Sequence, residues 1–146
     1  MHEVARTILK LPGGMALRAS NPKMFGTAML EREIADLEAV PDDGAWTIFD
    51  RGIGDSLGFF GLSGLRVPAM LAQRAAALRY SGPIFVAPPW AAIFCSDEER
   101  TQDWNEALSS GEAVKRAWSD AGYVPIDLPL ATPELRADFL EARLIR

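Results

Sequence analysis

The chain has 146 residues, 49% of them hydrophobic, and a formal net charge of −5. That length suits one domain with a core of its own. The acidic balance argues against a nucleic-acid binder, which usually shows a basic face, and no apolar run approaches the ~20 residues of a membrane span.

Residues 2–10 read as the end of a helix, closed by Pro12-Gly13-Gly14. Glu3, Arg6 and Lys10 interrupt any charged-then-apolar leader pattern. Asn21-Pro22 predicts an N-cap followed by proline at the first helical position. That helix runs to about Glu38, with Leu30, Ile34 and Leu37 on its inner face. Pro41-Asp42-Asp43-Gly44 is a turn, and residues 46–50 read as a buried strand. Pro68 opens a helix over 68–79, which Ser81-Gly82-Pro83 breaks. Residues 84–87 form a continuous apolar strand ended by Pro88-Pro89. A long helix is expected from about Asp97 to Ala121, with Trp104, Leu108, Val114 and Trp118 at core spacing and Gly122 as its stop. Residues 123–128 are a third strand, placed at a sheet edge by Pro125. Thr132-Pro133-Glu134 starts the last helix, about 133–143.

Strands separated by helices imply crossovers, an α/β class and a mostly parallel sheet. Ligands of such sheets sit at the carboxyl ends of the strands. Asp50, Pro88 and Pro129 mark those ends, so all three should approach one edge of the sheet. The lone Cys95 permits no internal disulfide and reads as a buried small apolar side chain. The cytoplasm is the expected compartment. One histidine and one cysteine leave no metal cluster of those types.

Phe49-Asp50-Arg51-Gly52 carries the most chemistry. An acid at a strand end can hold Mg²⁺ through water or orient an attacking hydroxyl. Arg51 can pair with phosphate or acidic groups. The same residues also fit an ordinary strand-to-helix turn, with Asp55 capping a short helix at 56–60. Gly52-Ile53-Gly54 starts like a dinucleotide fingerprint, but its third glycine falls on Leu57. The segment from Ser96 to Asp103 fits either a lid whose Arg100 swings onto a phosphate or a helix start whose acids complement its dipole. Glu3 and Arg6 alone read as a charged helical face.

Taken in order, Glu3-Val4-Ala5-Arg6, Phe49-Asp50-Arg51-Gly52-Ile53, Ala87-Pro88-Pro89-Trp90 and Glu99-Arg100-Thr101-Gln102-Asp103 resemble the bacterial AAA-type ATPases with a P-loop kinase-like domain. The resemblance spans nearly the whole chain. It implies a three-layer α/β/α P-loop fold using ATP and Mg²⁺. It also implies that Asp50 is the acid near the metal, that Arg51 faces a phosphoryl acceptor and that Arg100 is a lid arginine. Pro129, Leu130, Ala131 and Thr132 would lie near the adenine. Glu3, Arg6 and Asp55 would border a small-molecule acceptor.

The chain departs from that family in one block. It holds no glycine-rich loop ending in Gly-Lys-Ser or Gly-Lys-Thr. In the family's strand order the P-loop strand lies between 46–50 and 84–87, so an apolar slot is expected there. That slot would favour self-association. Three readings follow: Met1 is an internal start, another chain completes the fold, or the sheet has closed into a non-catalytic interaction module. The first is the expectation here, with little or no activity for these residues alone.

Overall fold

A computed structural model describes residues 1–95 and 103–144. Its described elements are α1 (Val4–Leu9), α2 (Gly14–Ser20), α3 (Pro22–Glu38), α4 (Ile53–Leu62) and α5 (Ala69–Ala77). Then come β1 (Phe85–Val86), a 3₁₀ turn at Ala91–Ile93, α6 (Trp104–Asp120), β2 (Ile126–Asp127) and α7 (Pro133–Leu144).

The core is helical. On α3 the Asn21 side chain accepts the Met24 N–H at 3.1 Å, and Pro22 supplies the first turn. The stripe this start projects inward is the expected one: Leu30 and Ile34 are fully buried. They pack with Ile53 and Phe60 of α4 and Leu71 and Ala75 of α5. Truncating either aliphatic side chain to alanine is worth about 2–5 kcal/mol at such sites. A second cluster joins α1 to α3 through Val4, Leu9, Phe25 and Met29. Phe59 links the two by edge-to-face contacts with Phe25 and Phe60.

The sheet is smaller than the sequence suggests. Among the described residues it has two parallel strands, with Phe85 opposite Ile126 and Val86 opposite Asp127. The strands read at 84–87 and 123–128 thus shrink to two residues each. The segment 46–50 is in no strand, and Trp46 and Ile48 are 60% and 67% exposed. Its residues are apolar and β-prone, but a ladder needs a neighbour. Among the described residues its backbone pairs with Met1: the terminal amine donates to the Ile48 carbonyl at 2.8 Å, and the Asp50 N–H donates to the Met1 carbonyl at 3.1 Å. That exchange has the parallel pattern.

Several boundaries moved. Pro12-Gly13-Gly14 closes α1 as expected, but Gly13 also caps a further helix, α2, that the sequence did not announce. The turn of helix at 56–60 extends to Ile53–Leu62. Described residues of the long helix begin at Trp104, where Asp103 accepts the Glu106 N–H at 2.8 Å and Glu106 accepts the Asp103 N–H at 2.9 Å. This reciprocal cap sets the boundary. Asp103→Ala is expected to lower stability by about 1 kcal/mol; an unchanged denaturant midpoint would show that the cap contributes nothing. Trp118 is buried as expected, whereas Leu108 and Cys95 are exposed.

Candidate functional site

Asp50 ends the extended segment with its side chain exposed. Arg51 follows with φ at +74°, the one non-glycine residue with positive φ among those described. A left-handed arginine costs about 1–2 kcal/mol and persists where its neighbours hold it. Here carboxylates do so from two directions. Arg51 Nη1 donates to Asp55 Oδ1 at 2.9 Å, and Arg51 Nε lies 3.4 Å from Glu3 Oε1. Glu3 Oε2 accepts from Arg6 Nε at 3.2 Å. Partial burial opposes the charge of Arg51, but Asp55 and Glu3 outweigh it and raise its pKa above the ordinary value.

Asp55 has two tasks. One oxygen holds Arg51 while the other accepts the Gly52 N–H at 3.2 Å. Asp55 thus caps the turn, as one reading of the sequence had it. Behind it the chain is tightly packed. A Cβ on Gly54 would lie 2.2 Å from the Trp118 ring, so only glycine allows α4 to cross α6 here.

A cavity of about 990 Å³ opens beside this turn. Asp50, Arg51 and Asp55 line one side, Pro88, Pro89 and Trp90 another, and Pro129 and Leu130 a third. Asp50, Pro88 and Pro129 thus line one space, although only the last two follow strands. Ala131 and Thr132 do not line it; the Thr132 hydroxyl instead accepts the Leu135 N–H at 3.5 Å at the start of α7. Glu3 and Arg6 reach the site through Arg51 rather than through the cavity wall. Arg100 lies outside the described residues.

The cavity is also lined by the extended segment 46–50 and by β1. Met1 occupies Ile48 and Asp50, so Thr47 and Phe49 offer their backbone groups to the other side. β2 occupies Ile84 and Val86, so Phe85 and Ala87 point away from it. All four residues line the cavity.

Two buried polar groups were not singled out in the sequence. Glu33 of α3 and Ser56 of α4 are 4% and 0% exposed, and neither Glu33 Oε2 nor Ser56 Oγ has a hydrogen-bond partner among the described residues. Burial, more than its neighbours, pushes the Glu33 pKa up to about 9. A signal existed: Glu33 falls on the same stripe as Leu30, Ile34 and Leu37. Tyr80, which touches the site turn, gave no signal of its own.

A family model described as an AAA domain matches residues 1–136. The chain belongs to this AAA-domain family. The family is of the nucleotide-binding, ATPase-like kind, using ATP and Mg²⁺. No curated protein and no solved structure matches the chain. In this AAA domain, no group of three or more His, Cys, Asp or Glu residues suited to a metal occurs among the described residues. No described helix is long and apolar enough to cross a membrane.

The residues present fit one half of a nucleotide site. Asp50 makes no side-chain hydrogen bond or ion pair within the described residues. A single free carboxylate is what Mg²⁺ takes when phosphates and waters supply its other ligands. The phosphate-gripping half, a glycine-rich loop with its lysine, is not among these residues.

Proposed function

We propose that this AAA domain carries the acid and acceptor-facing half of an ATP-Mg²⁺ site for hydrolysis or for phosphoryl transfer to a small acceptor. The observation behind this reading is the cavity that Asp50 and the left-handed Arg51 line together with the extended segment 46–50 and β1. Asp50 would hold Mg²⁺ through its water shell, and the ion would supply charge neutralisation at the phosphoryl oxygens. Arg51, gripped by Glu3 and Asp55, presents a fixed cation toward the acceptor side. Asp55 and Glu3 border that acceptor, and Arg6 steadies Glu3. Pro129 and Leu130 offer apolar surface for a base. Arg100 serves as a lid cation. The work is done in the cytoplasm, where the nucleotide is.

A parallel strand seated between Thr47–Phe49 and Phe85–Ala87 completes the three-layer P-loop fold and brings the phosphate cradle. Without that strand these residues have little or no activity. A fluorescent ATP analogue tests this reading. The 146-residue chain alone should show no saturable binding. Adding a peptide with an apolar strand and a glycine-rich Gly-Lys-Thr loop should create Mg²⁺-dependent binding that Asp50→Asn weakens at least tenfold. Tight binding by the chain alone, or binding indifferent to Asp50, would overturn it.

The exposure of Trp46 and Ile48 favours a second reading, in which the same slot pairs with another copy of the chain and binds no nucleotide. Sedimentation across a concentration series separates the two. A dimer that the strand peptide does not dissociate supports the interaction module.

A further inference from the structure

We propose that Tyr80 is the positioning residue of the Asp50-Arg51-Gly52 turn, holding both ends of the turn from a distant point in the chain. The inference deepens the site proposed above and rests on that reading for its functional meaning.

The argument starts from an orphan donor. A helix leaves its first amides without partners inside the helix. At α4 the N-cap is Gly52, which has no side chain to offer. Asp55 takes the Gly52 N–H but is also occupied by Arg51. The next amide, Ile53 N–H, finds its partner 27 residues away: it donates to the Tyr80 hydroxyl oxygen at 3.2 Å. The fit is close. A Cβ on Gly52 would lie 2.6 Å from that oxygen, so the glycine makes room for the phenol.

The ring of Tyr80 holds the other end of the turn. It meets Phe49 edge-to-face at 5.4 Å between centroids. Tyr80 therefore touches the residue just before Asp50 and the residue just after Gly52. Between those contacts sits the left-handed Arg51. The tyrosine is itself anchored. Its N–H donates to the Tyr123 hydroxyl at 2.8 Å, and its ring packs edge-to-face on Trp118 at 5.3 Å. Arg79 adds a guanidinium 4.1 Å above the Tyr123 ring and donates to the Ala121 carbonyl. The turn is thereby tied to α6 and to the segment leading into β2. Burial pushes the Tyr80 hydroxyl up to about 12, so it stays protonated at neutral pH.

A strained backbone persists when its surroundings over-determine it. Asp55 and Glu3 fix the Arg51 guanidinium, and Tyr80 fixes the backbone that carries it. Moving that backbone would redirect both the acid and the cation, since they are adjacent residues.

Tyr80→Phe keeps the ring and removes only the hydroxyl, and NMR of the full chain reads the result. In Tyr80→Phe, hydrogen exchange at the Ile53 amide should speed up at least tenfold, and the Arg51 Nε–Hε signal should shift and broaden. The Trp118 indole signal should stay in place. Tyr123→Phe removes the neighbouring hydroxyl and is the control, in which the Ile53 amide and the Arg51 signal should hold. The proposal is overturned if Tyr80→Phe leaves Ile53 and Arg51 unchanged, or if both variants disturb them equally. Should Tyr80→Phe fail to fold, the wild-type chain decides: a protected Ile53 amide supports the assignment, and free exchange there overturns it. These readouts involve no nucleotide. They stand or fall separately from ATP binding, so a failure of the site reading would leave the positioning result intact.

Discussion

Glu33→Gln is expected to stabilise this AAA domain by about 3 kcal/mol at pH 7. The sign follows from the direction of the shift. Burial raises the folded pKa of Glu33 from an ordinary 4.5 to about 9. In the folded chain the carboxyl is neutral at pH 7, whereas in the unfolded chain it is ionised. Folding must therefore take up a proton. The stability held by the neutral acid is complete below about pH 4.5 and is lost as pH rises toward 9. Each pH unit inside that window costs about 1.4 kcal/mol. Ser56, beside the carboxyl, and Arg51 oppose the shift, while Asp55 and Asp36 add to it. Glutamine keeps the shape and cannot ionise. Denaturant melts at pH 5 and pH 8 check the result: the gap between variant and wild type should widen with pH. A variant less stable than wild type at both values would rule out a buried neutral acid.

Gly54→Ala is expected to destabilise the domain by about 2–3 kcal/mol, within the range for overpacking a closed core. The added methyl would stand 2.2–2.5 Å from three atoms of the Trp118 indole. Trp118 is 5% exposed and is flanked edge-to-face by Tyr80 and Tyr123, so the ring has nowhere to retreat. The helix-propensity gain of alanine over glycine, about 1 kcal/mol, offsets only part of the strain. Gly61→Ala, on the same helix, supplies the control. Its Cβ meets nothing within 4 Å, so that change should be neutral or stabilising. Trp118→Leu added to Gly54→Ala should recover part of the loss. Equal effects at positions 54 and 61 would show that α4 does not rest on the indole as described.

These two positions show where reading the chain succeeds and where it stops. Helix α3 was legible because its cap, its proline and its apolar period agree. Glu33 lies on the same period but was missed, because a carboxylate is not expected on an inner face. Helix α2 was hidden because two adjacent glycines after a proline read as a terminator, and the next helix starts on one of them. The strand at 46–50 was over-read. Its side chains carry β propensity, but propensity measures fit to a pleated surface, and the surface needs neighbours.

The site divides along the same line. The chain by itself determined the α/β class, the existence of α3, α4, α5, α6 and α7, and which residue types stand at positions 50, 51 and 55, because these depend on residue type and local spacing. It also determined that a phosphate-gripping loop is not among these residues. Tertiary structure alone decided that Glu3 reaches Arg51, that Tyr80 caps α4 and that Trp118 fills the space left by Gly54. It also decided that Asp50, Pro88 and Pro129 share one cavity. Contacts between residues 27 or more positions apart leave no periodic trace in a sequence. They arise from how helices α3, α4 and α6 pack, and packing depends on shape and volume across the whole core.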